Sequence, residues 1–81
     1  MQLNVYNIEA YLREHLDPIG IPYHVEVVMW PSARTLTAVV VINGVTYPEL
    51  RDDYSSALIE MAVLHYKKEH LKATVKAIYE E

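Results

Sequence analysis

The sequence contains no cysteine and only two glycines, Gly20 and Gly44. The first absence excludes disulfide scaffolding, cysteine–zinc sites and thiol nucleophiles, and it fits a reducing, intracellular setting. The second leaves no glycine-rich loop to cradle phosphates. No apolar run approaches the roughly 20 residues needed to span a bilayer. The opening MQLNVYNIEA lacks the basic start and apolar stretch of a secretory signal. A cytoplasmic protein that makes no membrane contact is expected.

Basic side chains are scarce over most of the chain. Through residue 66 there are three, Arg13, Arg34 and Arg51, against eight acidic ones. KKEHLKATVK, Lys67 to Lys76, reverses that balance with four lysines and one glutamate, within a formal net charge of −4. Most of the surface should repel phosphate, and only this segment should attract it.

The groups that carry catalysis are equally thin. His15, His24, His65 and His70 are dispersed, and no spacing brings metal ligands together on one element. Asp52-Asp53 is a carboxylate pair that reads more simply as a helix cap, and Ser55 and Ser56 have no histidine close in sequence. No catalytic residue, metal site, cofactor or small-molecule substrate is expected.

What is present is apolar: 52% of 81 residues, a high share for an isolated monomer of one small domain, residues 1–81. Asn4 or Asn7 can cap a helix from Val5 to about Leu16, with Ile8, Tyr11, Leu12 and Leu16 at helical spacing. The DPIGIP segment ends it. Tyr23 to Trp30 and Arg34 to Ile42 read as β-strands, PSAR turns between them, and Asn43-Gly44 signals a tight hairpin into a short strand, Val45 to Tyr47, stopped by Pro48. Asp52 or Asp53 caps a second helix that meets no glycine or proline as far as Glu81. Its expected core face is Ala57, Leu58, Met61, Ala62 and His65, and Leu64, Leu71 and Ile78 are spaced seven apart with Val75 beside them.

The expected class is α+β in the order α-β-β-β-α, an antiparallel three-stranded meander with both helices on one face. Leu36, Ala38, Val40 and Ile42 form the covered set on the second strand. Thr35, Thr37, Val39 and Val41 form the bare set, joined from the first strand either by His24, Glu26, Val28 and Trp30 or by the alternate residues; the face that Val28 and Trp30 share with His24 and Glu26 favours the first.

This pattern resembles the double-stranded RNA-binding domain (dsRBD) family over roughly residues 5–70. YLRE resembles the first-helix pattern at Leu12 and Glu14, and GIPY, Gly20 to Tyr23, resembles the family's lead-in to strand one. TLTAVVVINGVTY, Thr35 to Tyr47, resembles its strand–turn–strand. In DYSSALIEMA, Asp53 to Ala62, Ala57 and Ala62 keep the small positions. Residues 71–81 then extend the second helix beyond the family's usual end. The resemblance implies the fold more than RNA binding. The family's second-helix lysines grip phosphates, and here Tyr54, Ser55 and Leu58 stand in their place behind Asp52 and Asp53. PSAR offers Arg34 where the family's loop has histidine, and Glu14 matches the first-helix minor-groove contact.

Three surfaces are candidates. The helix-free sheet face carries Val28, Trp30, Val39 and Val41, a patch for a partner or a second copy. The helix tail carries Leu71, Val75 and Ile78, which either pack back on the first helix or dock on a partner. Lys67, Lys68, Lys72 and Lys76 form a basic strip; with Glu14 and Arg34 they would serve a weak double-stranded RNA binder. The leading expectation is a non-catalytic protein-interaction module, a self-associating adaptor or inhibitor that would also suit a virus or phage acting in a host cell. Weak RNA binding is the alternative.

Overall fold

The computed structural model describes residues 2–79, and the expected helix extension to Glu81 is followed as far as Tyr79, because Glu80 and Glu81 lie outside the described residues. Helix α1 spans Ile8–Leu16, strands β1, β2 and β3 span Tyr23–Trp30, Thr35–Ile42 and Val45–Thr46, and helix α2 spans Asp53–Tyr79. The sheet is an antiparallel meander in the order β1-β2-β3. The class is α+β, as the hydrophobic periodicities imply.

Local chemistry sets the ends of these elements. Asn4 Oδ1 accepts from the Tyr6 and Asn7 amides at 2.8 and 3.1 Å, while Asn7 Oδ1 accepts from the Asn4 amide at 2.8 Å. This reciprocal pair closes the turn over residues 5–7 that leads into α1, while Asn7 at the N-cap makes no side-chain bond to the helix. At the other end a short 3-10 turn, Asp17–Ile19, closes on Gly20 in the left-handed region (φ 71°). Asn43 and Gly44 both take positive φ, 52° and 82°, as a type I′ turn requires. The β1–β2 loop contains a third such position, Arg34 at φ 49°, which sequence inspection does not reveal.

The core joins Leu3, Ile8, Leu12 and Leu16 to Ala38, Val40 and Ile42 of β2, Leu50, and Ile59 and Val63 of α2. Both helices therefore lie over the same face of the sheet. Burial of side chains of this size contributes about 1.5–3 kcal/mol apiece.

Two expectations about packing are corrected. The core face of α2 is Ser56, Ile59 and Val63 with half-buried Tyr66; Ala57, Met61 and His65 are exposed instead. The serines explain the offset, since both hydroxyls are satisfied. Ser56 Oγ accepts from the Leu3 amide at 2.8 Å, and Ser55 belongs to the cap at the start of α2. A hydroxyl with a partner can be buried at little cost, so the apolar-only phase is wrong. Leu36, expected under the helices, is 40% exposed, because the hairpin reaches past them.

Candidate interaction surface

The start of α2 is fixed by Asp52, whose Oδ1 accepts from the Ser55 amide at 2.9 Å and from its hydroxyl at 3.0 Å. Ser55 Oγ in turn accepts from the Arg51 and Asp52 amides. The hydrogen bonds from Ser55 hold the Asp52 carboxyl below its ordinary value of 3.8. From this cap the helix runs 27 residues, about 40 Å at 1.5 Å per residue. The molecule is 59 Å long and 19 Å across. The helix outruns the domain.

Its first half lies on the core through Ile59, Val63 and Tyr66. Beyond Tyr66 every residue to Tyr79 is exposed. Lys67 Nζ lies 3.0 Å from Nδ1 of His15, at the end of α1. Ile19, just after α1, lines a shallow pocket with Lys67, Lys68, His70 and Leu71, so the tail stays beside the domain for about one turn past Tyr66.

Opposite the core face runs a second stripe: Tyr54, Ala57, Met61, Leu64, Lys68, Leu71, Val75 and Ile78. Successive steps of three and four residues make this a seven-residue repeat, centred about 140° round the helix from Ile59 and Val63. All eight are exposed, and Met61, Leu64, Leu71, Val75 and Ile78 are between 44% and 66% so. Sequence reasoning found Leu64, Leu71, Val75 and Ile78, but assigned Met61 to the core. The signal that separates the two stripes is the Ile59–Val63–Tyr66 spacing, which fixes the buried phase independently.

The helix-free side of the sheet is built differently. The β1–β2 register sets Trp30 opposite Thr35, Val28 opposite Thr37, Glu26 opposite Val39 and His24 opposite Val41. Val28, Trp30, Val39 and Val41 thus share one face, and three of them are half-buried by their neighbours. The Trp30 indole N–H donates to Thr37 Oγ1 at 3.2 Å, and Thr37 is buried beside it. Trp30 itself remains 42% exposed. On the helix side of the same hairpin Val27 and Met29 are also exposed, which the alternation pattern alone does not show. An open groove of about 580 Å³ lies between the hairpin end and the N-terminal segment, lined by Tyr6, Trp30, Arg34, Leu36 and Arg51 among others.

The cationic residues are not brought to one place. Arg34 lines that groove with residues 2–6, which precede α1, whereas Lys67 sits at the opposite end of α1 beside His15. Lys72 is paired with Glu69 at 3.6 Å, and Lys68 and Lys76 are exposed on α2. Glu14 is exposed on α1. Between α1 and α2, burial and then the charge of Glu60 push the Tyr11 hydroxyl above its ordinary value of 10.0. Among the described residues no cluster of three histidine, aspartate or glutamate side chains could hold a metal ion. No described helix is long and apolar enough to cross a membrane.

No family model, no curated protein and no solved structure matches the chain.

Proposed function

We propose that this chain is a non-catalytic protein-interaction module, of the adaptor or inhibitor kind, whose principal contact is the exposed stripe of α2. One observation carries this reading: a seven-residue repeat, apolar except at Lys68, stays exposed along α2 from Tyr54 to Ile78. Helices with such a repeat bury it against another helix. A tail of thirteen exposed residues is also too short to be a stable helix by propensity alone, since isolated helices under about 12–15 residues are marginal in water. The sheet's outer face, with Trp30 at its rim, is a secondary contact. The element order and the shared helix face are those of a dsRBD, and a dsRBD scaffold turned from RNA to protein contacts is consistent with the acidic start of α2. Weak duplex binding through the α2 lysines is the lesser reading, because Arg34 and Lys67 lie at opposite ends of α1.

The test is photo-crosslinking in the native host with a photoreactive residue at position 71 on the stripe, or at position 74 off it. The reading expects a protein adduct from position 71 and far less from position 74. Equal, background labelling at both positions would defeat it.

A further inference from the structure

Resting on that reading, we infer that the occupant of the α2 stripe is α2 of a second copy, running antiparallel, with residue 66 of each helix at the crossing point. Periodicity, charge and symmetry support it independently.

The periodicity calls for a helix as partner. Steps of three and four residues, kept from Tyr54 to Ile78, match the seam of two coiled helices and continue beyond the domain, where no sheet could follow. A flat or irregular partner would need a patch. It would not need a line about 36 Å long.

Charge selects the direction. Lys68 stands inside the stripe, flanked by Lys67 and Lys72, while the first half of α2 carries Asp53 and Glu60. In a parallel pair Lys68 would meet Lys68 of the second copy, and Lys67 would meet Lys72 on both sides, so six ammonium groups would crowd into one heptad. In an antiparallel pair crossing at residue 66, Lys68 meets Leu64 and Lys72 lies level with Glu60, leaving Lys67 beside Lys67 as the one like-charge contact. The helix dipoles then also oppose favourably.

Symmetry sets the register. The eight stripe positions are symmetric about residue 66, so an antiparallel copy crossing there matches every one. Met61 meets Leu71 of the second copy, Leu64 meets Lys68, and Tyr54 at one end meets Ile78. Shifting by one heptad either way leaves part of each stripe uncovered. A lysine opposite a leucine at the seam keeps its stem on the apolar surface and its ammonium in water, and a polar residue at such a position fixes alignment.

The chain has no cysteine, so introduced thiols report the geometry cleanly. The expected wild-type mass in light scattering at high concentration is twice 9.4 kDa. A mixture of Met61→Cys and Leu71→Cys chains should oxidise to a disulfide-linked heterodimer, whereas Met61→Cys alone should not link to itself. Self-linking of Met61→Cys would overturn the antiparallel arrangement. A dimer in which neither arrangement links would overturn the helix seam, and a 9.4 kDa monomer throughout would overturn the second copy as occupant. In that last case an adduct of some other mass from position 71 in cells would leave the interaction reading standing. Absence of any adduct would remove both.

Discussion

The outer face of the sheet and the outer stripe of α2 are both apolar by sequence, yet they stand differently in the fold. On the sheet, neighbours a strand apart shield one another: Val28, Val39 and Val41 are half-buried, and the Trp30 indole closes over Thr37 with a hydrogen bond. On the helix, stripe residues have mainly their own neighbours three and four positions away, and Met61, Leu64, Leu71, Val75 and Ile78 stay 44–66% exposed. The same apolar content is thus largely accounted for inside the domain in one place and not in the other. The difference teaches that exposed valines on a strand are weak signs of a partner, whereas an apolar repeat sustained along an unsupported helix is a strong one.

Substitutions can break or sharpen this contrast. The largest effect should come from Leu12→Ala in the core, a loss of about 2–5 kcal/mol in urea unfolding, while Leu71→Ala leaves the dilute monomer within about 0.5 kcal/mol. Equal losses would mean that the tail packs within its own domain. Next is Ser56→Ala, which strands the buried Leu3 amide and should cost about 1–3 kcal/mol. Leu3 amide exchange, followed by nuclear magnetic resonance, should accelerate in the same variant.

Trp30→Phe keeps a ring on the outer face and removes the donor to Thr37, with an expected loss of about 0.5–1.5 kcal/mol and no change in association. A change in association would move the principal contact from the helix to the sheet. The smallest effect concerns Asp52. Its carboxyl is lowered in the fold, so the charged form is favoured more by the native than by the unfolded chain. The stability this contributes is complete above the ordinary value of 3.8 and is lost as the pH falls through the lowered folded value. Asp52→Asn keeps a cap acceptor and should flatten that acid limb in a thermal melt series; an unchanged slope would dismiss the cap's electrostatic role.

Much of the fold was legible because its signals are local. Asn43-Gly44 named its own turn type, the alternation over Ala38, Val40 and Ile42 named the covered face, and Ile8, Leu12 and Leu16 named the buried side of α1. Leu36 was misread because the hairpin reaches past the helices, and the other misreadings come from polar or backbone chemistry. Ser56 is buried because Leu3, 53 residues away, donates to it, and that bond moves the buried phase of α2 on to Ile59 and Val63. Thr37 is buried because an indole covers it, and Arg34 takes positive φ because the hairpin end needs a left-handed residue there. None of these is visible as hydrophobic periodicity. At the candidate site, Leu71, Val75 and Ile78 were legible because they lie beyond the core residues of α2 in sequence. Met61 was not, since beside the core either stripe can claim an apolar residue.

The central claim is that residues 72–79 of α2 lack support within their own domain and gain it by association. Amide hydrogen exchange along α2, measured across a wide range of protein concentration, tests it most directly. The account predicts strong protection of residues 56–66 at every concentration. Protection of residues 72–79 should rise with concentration in the wild type and stay low in Leu71→Glu. Uniform protection along the whole helix, independent of both dilution and that substitution, would contradict it.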